Sequence, residues 1–268
     1  MDQAIKPVLL IGAGNMGGAL VAGWRRAHAL SPGDLIIRDP FPGRDALAAA
    51  DWGASLNGPD SLMAAAKTVV LAVKPQTWRA AAEAVAALLA PGATVVSIVA
   101  GVRAADLAQG FGGRVIARVM PTTAAAIGRG AASVWSADPA ARRAARALFA
   151  PLGTVVDIAD EDLMHAATGA SGSGPAYVYA MVEALEAAGA AAGLDAAAAR
   201  DLARATVIGA AALLEAGGED AAVLRRQVTS PGGTTQAGLE VLTGGKALEM
   251  LMIRTVAAAA ARSRELGR

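Results

Sequence analysis

The run Val8-Leu9-Leu10-Ile11-Gly12-Ala13-Gly14-Asn15-Met16-Gly17 constrains what this chain can fold into more than any other stretch. Its four leading apolar residues read as a strand buried on both faces, and the glycines follow in the spacing Gly-x-Gly-x-x-Gly just before a helical stretch. In that context each glycine has its own task. Gly12 permits a tight turn, Gly14 lets backbone come close to a pyrophosphate, and Gly17 lets the helix pack against the strand. The helix N-terminus then offers unpaired N–H groups and a partial positive charge to phosphates. The spacing names a cofactor class, a dinucleotide, without naming a reaction. It also displaces a competing reading in which Lys6 and the apolar run Pro7–Trp24 form a leader or a membrane span, because the glycines and Asn15 would weaken such a helix.

Downstream, short β-branched apolar runs alternate with alanine-rich stretches of helical length, the pattern a parallel α/β sheet requires. The strands are expected at Val8–Ile11, Leu35–Ile37, Thr68–Val73, Thr94–Val99, Arg114–Val119, Ala131–Trp135 and Val155–Ile158, with a weaker one near Ala54–Leu56. Helices are expected at Met16–Ala29, Arg44–Trp52, Thr77–Leu89 and Pro139–Ala150. This is a doubly wound arrangement. After about residue 160 the strand signal stops and long helices follow at Pro175–Ala192, Ala196–Glu215, Thr234–Thr243 and Lys246–Glu265. The reading is therefore a dinucleotide domain over 1–160 and an all-helical domain over 161–268, joined without a linker and with a helix packed directly on the sheet. The helices of the second half are apolar on more than one face, as in Ala205–Leu214, which suits burial against a second copy of the chain.

Charge and composition narrow the partners. Twenty-four basic residues nearly match 23 acidic ones, for a formal charge of +1, so no broad field exists to gather nucleic acid. Hydrophobic residues make up 54% and aromatics only 3%, the excess being largely alanine, which reads as a soluble protein of close-packed helices. Cysteine is absent, which removes thiol nucleophiles and thiolate metal sites and permits a cytoplasmic location. No spacing of His, Asp and Glu suggests a metal site. His28 and His165 read as structural, and Arg142, Arg143 and Arg146 as a solvated helix face.

Three further segments carry chemistry. Asp39 closes the second strand about 20 residues beyond the glycines, where an acidic side chain would hold a ribose 2′-OH; Arg38 and Arg44 flank it and would instead accept a 2′-phosphate. The choice between NADH and NADPH stays open at this point. Ala72-Val73-Lys74-Pro75-Gln76 ends a strand at the crevice side of such a sheet, where Lys74 is a catalytic acid, a phosphate contact or a solvated charge. Ser230-Pro231-Gly232-Gly233-Thr234-Thr235 precedes a helix, and its converging amides and hydroxyls form a natural receptor for a carboxylate. Ser171-Gly172-Ser173-Gly174-Pro175-Ala176-Tyr177 is a second Gly/Ser turn running into a helix, for which capping is the simpler account.

Taken together, IGAGNMG, AVKPQ at 72–76, SGSGPAYVY at 171–179, VTSPGGTTQAGLEVL at 228–242 and the closing Arg262-Ser263-Arg264-Glu265-Leu266 make the chain resemble the pyrroline-5-carboxylate reductase family over essentially its full length. The resemblance implies an N-terminal Rossmann domain and a helical domain that interlocks with its partner in a homodimer, often assembled into larger rings. It implies reduction of 1-pyrroline-5-carboxylate to L-proline, the last step of proline biosynthesis, with NADPH or NADH. It further implies that Ile11, Gly12, Ala13, Gly14, Asn15, Met16, Asp39, Asn57, Ala72, Val73, Lys74, Pro75, Ile98, Val99 and Ala100 contact the dinucleotide. Ser230, Gly233 and Thr234 would receive the substrate carboxylate, with Thr235 hydrogen-bonded to the ring nitrogen. The chain departs from the family at Met120-Pro121-Thr122-Thr123-Ala124-Ala125, where an Asn at 122 and a second Pro at 124 are usual. Two rival readings are a related imine or hydroxy-acid dehydrogenase and a dinucleotide-sensing protein without turnover. The hydroxy-acid reaction wants a general acid that residues 165–180 do not obviously supply, and a sensor has no use for a second, carboxylate-binding turn.

Overall fold

In the computed structural model, which describes residues 3–267, the chain runs β1 (Val8–Ile11), α1 (Asn15–Arg26), β2 (Leu35–Arg38), α2 (Arg44–Asp51), β3 (Ser55–Leu56), β4 (Thr68–Leu71), α3 (Trp78–Val85), β5 (Thr94–Ser97) and α4 (Ala104–Gly110). It continues through β6 (Ile116–Pro121), β7 (Gly130–Trp135), α5 (Pro139–Phe149), β8 (Gly153–Asp157) and α6 (Leu163–Ala167). The remaining helices are α7 (Gly174–Ala191), α8 (Ala196–Gly217), α9 (Ala221–Gln227), α10 (Thr234–Thr243) and α11 (Ala247–Leu266). They group into two compact units, one holding the chain up to Gly172 together with the stretch from Ala257 onward, the other Ser173–Val256.

The first unit is built on one sheet of order β3-β2-β1-β4-β5-β6-β7-β8. Consecutive strand residues point to opposite faces, so Val8 and Leu10 enter one core with Leu20, Trp24, Leu148 and Phe149, while Leu9 and Ile11 enter the other with Trp78, Leu107 and Phe111. That double burial is why these strands are apolar without interruption. The indole of Trp24 is fully buried and its Nε1–H donates to the Leu148 carbonyl at 2.9 Å, which satisfies the one polar atom this core ring brings in. All pairings are parallel except β6–β7, which is antiparallel. The doubly wound, mostly parallel sheet expected from the sequence is present, with this one antiparallel pair near its edge. Only a short 3₁₀ turn, Thr123–Ile127, separates β6 from β7, and a parallel return needs a crossover of about a dozen residues or more.

The altered segment 120–125 lies at this corner. Thr122 is buried, its Oγ1 accepts from Ala131 N at 3.0 Å, and its own N–H donates to the Ala131 carbonyl at 2.9 Å. Threonine thus closes the hairpin with a side-chain bond. The junction after β8 packs α6 on β7, and a π-helical turn, Thr168–Gly172, on β6 and β7, as the expectation of a helix directly on the sheet requires.

In the second unit α7 and α8 pack on each other, with Gly189 meeting Ala199 and Arg204 Nε reaching Glu186 at 3.2 Å. Asp195 caps α8, its Oδ1 accepting from Ala197 N at 3.0 Å and Ala198 N at 2.9 Å. The helices leave many large apolar side chains outside: Tyr179 is 64% exposed, Ile208 70%, Leu213 62% and Val241 84%. Among the described residues no helix is long and apolar enough to cross a membrane.

Candidate functional site

The parallel register brings the C-terminal ends of β1, β2, β4 and β5 into one row. Gly12 N donates to the Arg38 carbonyl at 2.8 Å, Ala72 N to the Ile11 carbonyl at 2.8 Å, and Ile98 N to the Leu71 carbonyl at 3.0 Å. Ile11, Gly12, Asp39, Ala72, Val73 and Ile98 are therefore neighbours although the chain separates them widely. Gly12 has φ +90°, and a β-carbon there would stand 2.7 Å from the Ala72 carbonyl oxygen. A β-carbon at Gly17 would stand 2.2 Å from the Gly12 oxygen. Both glycines are required by the fold itself. Gly14 differs: it is exposed, has φ −66°, and a β-carbon there would meet nothing within 4 Å. Nothing in the protein demands glycine at that position, so the space it leaves open at the uncapped N-terminus of α1 fits the pyrophosphate of a dinucleotide.

Asp39 is built into the same loop. Its Oδ2 accepts from Ala13 N at 2.5 Å and its Oδ1 from Phe41 N at 2.7 Å, while its backbone exchanges two bonds with the Asn57 side chain at 3.0 and 2.8 Å. Asn57 itself takes φ +50° and donates its N–H to the Ile37 carbonyl at 2.9 Å. Both carboxylate oxygens thus already brace the glycine turn, which gives Asp39 a structural task beside the ribose contact expected of it. Arg38 is paired with Asp60, while Arg44 opens α2 exposed to solvent. Phe41 stands 89% exposed in this loop, an apolar face that the sequence reading passed over. Lys74 is exposed where β4 gives way to the short turn Pro75–Thr77, its carbonyl accepting from Thr77 N at 3.0 Å.

Beside the end of β6 lies a charged cluster that sequence reasoning missed. Arg118 is 3% exposed, and its NH1 meets Glu161 Oε1 at 2.9 Å; the same oxygen accepts from Ala104 N, the first amide of α4, at 2.6 Å. Desolvation by burial lowers the Arg118 pKa from its ordinary value, and the hydrogen bond and charge of Glu161 oppose that only in part. A charged residue inside the apolar strand Ile116–Pro121 was the available signal. His165 is buried with Nδ1 3.0 Å from Ser263 Oγ, and burial, reinforced by Arg118, Arg264 and Arg103, lowers its pKa despite Asp162. In the π-helical turn the Ser171 hydroxyl is buried with no hydrogen-bond partner, beside Gly172, whose β-carbon would press on Met120. Such turns gather at working sites. Among the described residues no group of His, Cys, Asp and Glu could hold a metal ion.

In the second unit, Ser230, Gly233, Thr234 and Thr235 come together at the start of α10. Gly233 N donates to the Ser230 carbonyl at 3.0 Å, Gly232 takes φ +70°, and Gly232 N donates to Gln236 Oε1 at 2.7 Å. Gly233 is the N-cap and brings no side chain to the first-turn amides. Ser230, Thr234 and Thr235 are exposed beside those amides, so donors and hydroxyls converge where the helix end carries partial positive charge.

A family model described as pyrroline-5-carboxylate reductase dimerisation matches residues 161–266, and one described as NADP oxidoreductase, coenzyme F420-dependent, matches residues 7–101. The pyrroline-5-carboxylate reductase of Synechocystis sp. is 39% identical over 267 residues, covering 97% of each chain. That of Pisum sativum is 39% identical, covering 96% of this chain and 94% of its own. Among solved structures, a pyrroline-5-carboxylate reductase from Coxiella burnetii superposes with a TM-score of 0.89 at 29% identity, covering 98% of this chain and 99% of its own. The Plasmodium falciparum pyrroline carboxylate reductase with NADP bound superposes with a TM-score of 0.84 at 25% identity over the whole of both chains.

Proposed function

This chain belongs to the pyrroline-5-carboxylate reductase family, and from that membership we propose how its residues divide the work of the reaction. The enzyme reduces 1-pyrroline-5-carboxylate to L-proline with NAD(P)H. When bound, the reduced nicotinamide supplies the hydride that adds to the imine carbon. Ile11, Gly12, Ala13, Gly14, Asn15, Met16 and Gly17 hold the dinucleotide at its pyrophosphate, while Asp39 and Asn57 hold the adenosine side. Ala72, Val73, Lys74 and Pro75, with Ile98, Val99 and Ala100, line the crevice toward the nicotinamide. Ser230, Gly233 and Thr234 receive the substrate carboxylate. Thr235 is the catalytic residue, its hydroxyl orienting the ring nitrogen and passing on the proton that nitrogen carries in the product.

The observation that carries this reading is the turn before α10, where first-turn amides lack a side-chain cap and three hydroxyls stand exposed beside them. A carboxylate fixed there gives the substrate one orientation, and alignment of that kind supplies most of the acceleration that hydride transfer to an electrophilic imine needs. Functionally we assign residues 1–160 to the cofactor and 161–268 to substrate and self-association, a division the family match at 161–266 supports. We further propose that the exposed helices of the second unit interlock with a second copy, and that the reaction takes place in the cytoplasm without nucleic acid or membrane partners. Thr235→Val tests the mechanism, since valine keeps the shape and deletes only the hydroxyl. Turnover should fall by roughly 100-fold, the range general acid–base groups contribute, with dinucleotide affinity unchanged; wild-type turnover in this variant sinks the assignment.

A further inference from the structure

We propose that the end of α11 and the residue after it, Ser263–Gly267, form a positioning element for the cofactor, backing Gly101 and so setting the path of Ile98, Val99 and Ala100. The inference rests on the reading that these three residues line the dinucleotide. Gly101 is buried with φ +84°, and a β-carbon on it would stand 2.4 Å from the Ser263 carbonyl oxygen and 2.8 Å from Gly267 N. The contact is reciprocal, because a β-carbon on Gly267 would stand 2.2 Å from the Gly101 oxygen. Backbone here lies directly on backbone. No flexible side chain intervenes to absorb a shift, so a displacement of either turn passes to the other.

One anchor holds the brace itself and a second holds the segment it backs. Ser263 is 3% exposed, and its hydroxyl meets Nδ1 of the buried His165 at 3.0 Å, which ties the end of α11 to α6. On the far side of the turn, Glu161 accepts from Ala104 N at 2.6 Å and fixes the start of α4. The segment between β5 and α4 is thereby held at Ile98 by the sheet, at Gly101 by the end of α11 and at Ala104 by Glu161. A segment ordered before the ligand arrives spares the entropy of ordering it on binding, so the brace contributes to cofactor affinity and not to the chemical step.

The test uses two variants of the full chain. Gly267→Ala places a carbon 2.2 Å from the Gly101 oxygen, a clash relieved only by moving the two backbones apart; Ser263→Ala removes the hydroxyl and adds nothing. Dissociation constants for NADPH and NADH are read from nicotinamide fluorescence without imino acid, followed by kcat, both KM values and thermal melting. Gly267→Ala should weaken the dinucleotide roughly five- to tenfold, about 1.0–1.4 kcal/mol, and raise its KM in step. The kcat at saturating cofactor should stay within about twofold. Ser263→Ala should shift the same quantities in the same direction, and Ser263→Thr, which restores the hydroxyl, should recover them. Dinucleotide binding that is intact in wild type and equally intact in both alanine variants overturns the brace, whether or not melting falls. If Gly267→Ala does not fold, Ser263→Ala and its threonine rescue decide alone. A wild-type chain that binds dinucleotide but leaves pyrroline-5-carboxylate unreduced would count against the substrate and leave the brace standing, whereas one that binds neither dinucleotide overturns the cofactor reading and the brace together.

Discussion

At the scale of single residues, the glycines of the first turn separate what the fold needs from what a ligand needs. Gly12 and Gly17 are demanded by φ +90° and by a 2.2 Å approach, whereas Gly14 could carry a methyl group without touching the protein. Gly14→Ala should therefore keep the melting temperature within a few degrees and still weaken the dinucleotide at least about tenfold, because the added carbon would occupy the pyrophosphate's place. Isothermal titration with NADPH and a thermal melt check the two halves separately, and unchanged affinity would show that the glycine answers to something else. The glycine spacing was legible in the sequence because it is a local pattern, although the Ala72 carbonyl that crowds Gly12 lies on a distant strand. The pairs Arg118 with Glu161 and His165 with Ser263 were not, since their partners lie 43 and 98 residues apart and only the finished fold brings them together. His165, read from the sequence as structural, is buried against a hydroxyl that could not have been named in advance.

At the scale of elements, the strands were readable because a parallel sheet covered on both faces tolerates only unbroken apolar runs, and β1, β2, β4 and β5 fall where such runs occur. The short helices α4 and α9, seven residues each, escaped because they span too few turns to establish a period. The antiparallel β7 could have been inferred from the short connection before it. Element packing also sets a pH dependence through α6. His165 faces Ser263 and Arg264 of α11, Arg118 of β6, and Arg103 and Asp162 nearby; burial first, then the arginines, hold its pKa below the ordinary value of about 6.5. The folded state thus binds this proton less readily than the unfolded chain does. The associated stability is fully present above about pH 6.5 and is lost as pH falls through the lower folded value. Chemical denaturation at pH 7.5 and at about pH 5.5 should show that loss in wild type and a smaller one in His165→Gln. An equal slope in both proteins would place the titrating group elsewhere.

At the scale of the whole molecule, the second unit exposes more apolar surface than an isolated chain would keep in water, and the family model matched there describes dimerisation. The sequence reading reached self-association from helices apolar on more than one face, but it could not say which side chains remain uncovered, since that depends on how α7 and α8 pack. Ile208→Glu, at a position 70% exposed, should leave the monomer folded and place a charge in the contact between copies. Sedimentation should then find mostly single chains at concentrations where wild type is assembled; an unchanged assembly would move the interface off α8. On the proposed division of work, the reaction needs both the glycine turn and the turn before α10. Purified protein mixed with racemic 1-pyrroline-5-carboxylate, in parallel with NADPH and NADH, should lose the near-ultraviolet absorbance of the reduced nicotinamide and yield proline in equal amount. Full dinucleotide binding with no oxidation of either cofactor and no proline would contradict the account.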